Sequence, residues 1–248
     1  MWSRAELKER AKEVFASCRW MAVAVSLVLA IVSGGGSGGS GSSTRSNGSD
    51  FNSGNMSDRD IALIFTVMVA VLVVALIFIA IRFVIKTFVS NPIEIGARRF
   101  FMISRERTAD FRELGFIFSN GYIKNAIIML LRDIFISLWS ILFVIPGIIK
   151  SYEYRMIPYI LAENPEIDRK TAFELSKRMM DGQKWDTFVL DLSFIPWVLL
   201  SLITCGIVAV VYYLPYYNLT NAELYAVLRN ELIMNDKEAA GLLIGFGE

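Results

Sequence analysis

The residues with chemistry to offer are Arg132, Asp133, Glu153, Tyr154, Arg155 and Asp191, all set in or beside strongly apolar stretches. An ionisable side chain at mid-depth in a bilayer costs about 2.5–3.5 kcal/mol. Such groups persist when they pair with one another, or when they line water or a substrate path. Two readings follow. In one, the cluster is an interhelical salt-bridge network that holds a bundle in register, which suits its nearly cancelling charges. In the other, it lines a polar pocket for an ion, a lipid headgroup or a small solute, together with the tyrosines of the same stretches. Glu153 and Arg155 stand two apart, so on a helix they face different ways and do not pair. The expected pairs cross the bundle: Arg132 or Arg155 with Asp191 or Asp133.

Catalytic and metal chemistry are poorly supplied. The chain has no histidine, the commonest side chain for general base and metal work. Its two cysteines, Cys18 and Cys205, cannot build a metal cage. The topology below sets them on opposite sides of a bilayer, out of disulfide reach. A lipid-modifying enzyme would need a polar cluster at headgroup level, such as Glu163, Asp168, Asp181 and Asp186. No catalytic, cofactor-binding or metal-ligating residue is assigned, and no cofactor is expected. The net charge of +1 gives no global field for nucleic acid.

The elements that must position the cluster are apolar. Of 248 residues, 54% are hydrophobic, and the mean hydropathy is +0.49. That excess is gathered in blocks, the signature of membrane spans. Residues 3–19 predict an amphipathic helix, with Leu7, Ala11, Val14, Phe15 and Cys18 on one stripe. Residues 16–34 are just long enough to cross if Arg19 snorkels. A cleaved signal peptide is the rival reading, and Glu6, Glu9 and Glu13 in the leading region argue against it. Residues 33–60 are Gly/Ser-rich and are expected as a flexible outer loop.

Ile61 to Ile81 is a clear span, free of charge. The arginines and lysines after it, from Arg82 to Lys124, place that flank inside. Asn91-Pro92 is expected to end the helix. Ile93, Ala97, Phe100 and Phe101 beside Arg98 and Arg99 then predict a helix lying in the inner interface, within the unit 61–120.

Residues 121–165 read as a hairpin broken at Pro146-Gly147, with a returning helix over 147–163. The rival places Arg132-Asp133 at the inner surface, with 134–163 as one longer, bent span. A short amphipathic helix begins at Asp168, with Ala172, Leu175 and Met179 on one face. Residues 185–230 form a second hairpin, broken at Gly206. The hairpins look like two copies of one unit: Asp133 and Asp191 each precede a Trp by six residues, and each copy runs on to a Pro-Tyr step. The expected fold is therefore all-α, a polytopic six-span bundle forming one membrane domain over 1–248. Both termini lie inside (N-in/C-in), with interfacial amphipathic helices and a parallel internal repeat of helix hairpins.

Several separated stretches carry a resemblance: Met1-Trp2-Ser3-Arg4-Ala5-Glu6-Leu7-Lys8, Asn91 to Phe101, Leu138-Trp139-Ser140 to Lys150, and Pro158-Tyr159-Ile160-Leu161-Ala162-Glu163-Asn164-Pro165. Together they resemble the bacterial integral membrane family catalogued as domain of unknown function nine hundred and seventy-five. The resemblance implies a membrane protein, typically from Gram-positive bacteria, and brings no catalytic residues. The expected function is a non-enzymatic scaffold or accessory subunit in the bacterial cytoplasmic (inner) membrane, multi-pass. It would pack against membrane lipids, a second copy of itself or another membrane protein. The alternative is a small transporter or channel using the buried Arg, Asp, Glu and Tyr residues.

Overall fold

A computed structural model of the chain describes residues 4–13, 26, 58–243 and 245. The described residues are helical, with no strand among them. The first helix, α1, covers 4–13. Its stripe faces protein: Leu7 and Ala11 are buried in the core. Lys8 Nζ donates to Ser193 Oγ at 2.6 Å and lies 4.5 Å over the Phe194 ring. Burial, with Lys12 and Arg4 nearby, pushes the Lys8 pKa down. Val14, Phe15 and Cys18, and the span expected over 16–34, lie outside the described residues save Ser26. So does the expected outer loop, except its last three positions, which open the next helix.

That helix, α2, is Asp58–Ile85. Phe65, Val71, Phe78 and Phe83 are all more than half exposed along its length. A helix apolar on every side has no aqueous face to offer, as suits a membrane span. It does not stop at Asn91-Pro92. A π turn, Lys86–Ser90, carries the chain straight into α3, Asn91–Ile103. Pro92 sits in the first turn of α3, where a missing N–H is tolerated. The carbonyl four residues back, on Phe88, accepts instead from the Tyr122 hydroxyl at 2.5 Å. The expected break fails because the π turn and that tyrosine absorb what the proline removes.

Nor does the apolar stripe of α3 face outward. Ile95, Ala97, Phe100, Phe101, Met102 and Ile103 are all buried. Gly96 is where the following 3-10 turn, Phe111–Gly115, crosses it: a Cβ there would lie 2.2 Å from the Leu114 carbonyl oxygen. The stripe that predicted a membrane-surface helix instead packs against protein. Arg99, on another side of α3, is itself tied inward. Its Nε donates to Glu113 at 2.7 Å, its Nη1 to the Ala162 carbonyl at 2.8 Å, and its guanidinium stacks 3.7 Å over Phe116.

After a single turn, α4 (Phe116–Ser119), the chain makes α5, Tyr122–Leu142, and α6, Val144–Glu153. The reversal between them is Phe143 alone, in extended conformation at φ −152°. Pro146 and Gly147 therefore do not form the break; both lie inside α6. Gly147 is buried because the two helices touch there, and a Cβ would come within 2.6 Å of Ser140 Cα. Its need is close approach, not turn conformation. The returning helix expected over 147–163 is interrupted at residues 154–156 and resumes as α7, Ile157–Glu163, fully buried.

The amphipathic helix α8, Arg169–Met179, starts where Asp168 accepts from the Lys170 N–H at 3.0 Å, and buries Ala172, Leu175 and Met179. Next come α9 (Lys184–Leu192) and α10 (Ile195–Ile203). The second reversal runs through Cys205 and Gly206, both at positive φ (49° and 85°). A π turn, Ala209–Tyr213, leads into α11, Leu214–Asn235, and a short α12, Lys237–Leu242, ends the described fold.

Three helices are long and apolar enough to cross a membrane: Phe65–Ile103, Tyr122–Leu142 and Lys184–Ile203. Six such spans were expected. Among the described residues the returning legs fall short, because α6 has 10 residues and α7 has 7, while much of α11 is buried in protein. The exposed apolar side chains gather on α2, the far half of α5, the start of α6, and α10. Beside that belt, α3, α7, α8 and α11 pack into a core built on Phe100, Phe101, Tyr159, Leu161, Leu224 and Tyr225.

Candidate functional site

The site begins where the two hairpins meet. Asp191, near the end of α9, receives Arg155, in the turn after α6. Arg155 Nη1 and Nη2 donate to the two carboxylate oxygens at 2.6 and 2.9 Å. Tyr152 and Tyr217 hydroxyls donate to the same carboxylate at 2.8 and 3.2 Å. Arg155 Nη2 also donates to Tyr217 Oη at 2.9 Å and to Asn221 Oδ1 at 2.6 Å. A carboxylate offers about four lone-pair sites, and all are filled. This clamp is a closed unit joining α6, α9 and α11.

Across from it stands a looser set on α3 and α5. Glu94 lies between two arginines, 3.5 Å from Arg98 Nη2 and 3.6 Å from Arg132 Nη2. Both separations are long for charge-assisted hydrogen bonds. Arg98 Nη1 also donates to Asn218 Oδ1 at 2.8 Å and to Tyr159 Oη at 3.2 Å. Its Nε is buried with no hydrogen-bond partner. Between this wall and the clamp lies a cavity of about 420 Å³, lined by Glu94, Arg98, Arg132, Tyr152, Arg155 and Asp191 among others.

Of the sequence candidates, Arg132, Tyr154, Arg155 and Asp191 line that cavity. Asp133 sits behind it. Its carboxylate takes Arg132 at 2.9 Å from the same helix and Lys86 at 3.0 Å from the π turn. Glu153 is turned elsewhere, held by Lys150 at 2.9 Å with Lys177 and Lys184 each at 3.6 Å. Tyr154 packs edge-on against Phe173 at 5.0 Å. Gly147 and Gly206 lie by the reversals and away from the cavity wall. Two of the four acids considered for a headgroup-level enzyme are committed elsewhere. Glu163 is buried against Arg229 and Tyr225, at 2.8 and 2.6 Å, and Asp168 caps α8. Among the described residues no cluster of three or more His, Cys, Asp or Glu side chains is placed to hold a metal.

The residues that sequence reasoning missed are Glu94, Arg98 and Asn221. The signal was the i,i+4 spacing of Glu94 and Arg98, which puts an acid and a base on one face of α3. What the arrangement can do is bind. Three arginines against Glu94 and Asp191 leave one positive charge in excess on the wall. Hydroxyl and amide groups around them can orient a polar solute.

Among curated proteins and among solved structures, nothing matches the chain. The family described as "Protein of unknown function (DUF975)" matches residues 59–231, most of the chain and the whole of the cavity wall, and the chain belongs to that family.

Proposed function

We propose that the chain is a multi-pass protein of a bacterial inner membrane that binds a small anionic or zwitterionic solute, without chemical change, in the cavity between its hairpins. One observation carries the reading: Arg132 and Asp191, on separate hairpins, line one polar cavity in a chain whose exposed belt is apolar. A purely structural ion-pair network would leave no space there and would satisfy Arg98 Nε. The volume suits a solute of amino-acid or short-acid size. Such a binder fits a small transporter. The topology we propose has six spans with both termini inside. In it α6 with α7, and the π turn with α11, act as returning legs shielded by protein, while the first span, expected over 16–34, lies outside the described residues save Ser26. Asp133 and Asp191 keep the parallel spacing of two repeats, with Asp191 specialised into the clamp.

The test is water access. In a chain freed of Cys18 and Cys205, Ser151→Cys places a thiol on the cavity wall. It should react with a water-soluble thiol reagent, and faster with an anionic reagent than a cationic one. No reaction in the folded protein would sink the reading.

A second reading is favoured by α2. Residues 65–85 are all exposed, which leaves a broad apolar helix face for a membrane partner or a second copy. Purification in mild detergent should then recover a stoichiometric partner or a homo-oligomer. A clean monomer would count against a scaffold or accessory role.

A further inference from the structure

The groove between α5 and α8 is a second space, which shares only Tyr154 with the lining of the arginine cavity. Its space is about 670 Å³, with Leu131 and Phe135 of α5, Tyr154, and Phe173 of α8 as an apolar wall. Arg169, Lys170 and Lys177 rim it, against a single acid, Glu174. Arg169 and Lys170 are exposed and form no ion pair among the described residues. Lys177 stands 3.6 Å from Glu153 with about half of its side chain (49%) in the open.

The wall does not end at the groove. Leu131, Phe135, Leu138 and Leu142 recur at helical spacing on one face of α5, and the last three are exposed. The groove thus joins a basic rim to an apolar track along a helix long and apolar enough to span. A soluble anion would answer the rim and leave Phe135 uncovered. A neutral lipid would answer the track and leave Arg169 and Lys170 unpaired. We propose that the groove seats one anionic phospholipid, its phosphate on Arg169, Lys170 and Lys177 and an acyl chain along Leu131, Phe135 and Leu138. The proposal rests on the membrane reading of α5 and not on the arginine cavity.

The full chain in neutral detergent is titrated with phosphatidylglycerol or phosphatidylcholine, and retained lipid is counted by native mass spectrometry. One phosphatidylglycerol per chain should be held, in preference to phosphatidylcholine. R169Q/K170Q should weaken it about 30-fold, at roughly five-fold for each charge near an anionic lipid, with the lipid-free melting temperature unchanged. F135N should weaken it as well, and K237Q, a charge change at an exposed position of α12, should not. Equal retention of phosphatidylcholine, wild-type affinity in R169Q/K170Q, or an equal loss in K237Q would each overturn the proposal. Extraction of the chain from membranes by carbonate without detergent would refute the membrane reading itself. A membrane-resident chain indifferent to phosphatidylglycerol refutes the groove alone.

Discussion

Asp191→Asn isolates the clamp between the hairpins. The side chain keeps its size and one acceptor oxygen, but it loses its charge and turns an amide donor toward Arg155. Four donors converge on the carboxylate in the wild type, two of them from Arg155. Removing one partner of a buried ion pair costs about 3–5 kcal/mol, chiefly because the other charge is left uncompensated. Here the side chains of Arg155 and Asp191 remain 17% and 23% exposed, and Arg155 retains Tyr217 and Asn221 as acceptors. The lower end applies, about 3 kcal/mol. For a chain of this size that lowers the melting temperature by roughly 6–12 °C. Trp185 and Trp197 flank Asp191 on α9 and α10, so intrinsic fluorescence of the detergent-solubilised protein reads the transition. Arg155→Gln should cost a similar amount. The double variant should lose clearly less than the sum, with a coupling of about 2 kcal/mol. Asp133→Asn is the contrast: its pair with Arg132 is as buried as the clamp, but Lys86 on its other side is half exposed and Arg132 keeps Glu94, so the loss should be smaller, about 1–2 kcal/mol. Equal shifts for the Asp191 and Asp133 variants, or strict additivity of D191N and R155Q, would refute the account of the clamp.

Two further outcomes follow from the fold. Gly96→Ala puts a Cβ 2.2 Å from the Leu114 carbonyl oxygen and Gly147→Ala puts one 2.6 Å from Ser140 Cα, backbone obstacles that cannot swing away. Each should destabilise by about 1–3 kcal/mol or more in denaturant unfolding. Gly115→Ala meets nothing within 4 Å and should fall within about 0.5 kcal/mol of wild type. At the C-terminal end, the Glu238 backbone N–H, then that of Ala239, and the Arg178 guanidinium hold the Asp236 carboxyl below its usual range. A depressed folded-state pKa contributes stability above the unfolded value near about 4 and loses it as pH falls through the folded value. With the intrinsic pH dependence of amide exchange divided out, protection across Lys237–Leu242 should therefore fall on acidification below about pH 4. Asp236→Asn should flatten that dependence; protection factors that ignore pH in the wild type would show the cap contributes nothing.

The parts of the fold that could be read from sequence are those governed by a single physical cause. The apolar run of α2 has only one solvent that suits it. Arg155 and Asp191 are opposite charges on separate hairpins, so their pairing is one of the four that follow from what each charge would cost alone. Asp168 could be read as a cap because capping is local. The misread parts are those in which two physical causes leave the same residues behind. Pro146-Gly147 has the composition of a turn, but a glycine also marks close helix contact, and only the position of Ser140 distinguishes the two. Asn91-Pro92 looks like a helix end, yet a π turn 34 residues away from the tyrosine that completes it preserves the helix. Most telling is α3. An apolar stripe beside arginines describes a helix on a membrane surface and equally a helix buried in a core whose arginines find acids. The difference lies in Glu113, Ala162 and Asn218, far along the chain. Because α3 packs inward, Glu94 and Arg98 come to face Arg132. A site expected on the hairpins alone therefore gains its third wall from a helix whose sequence pattern points to the lipid surface.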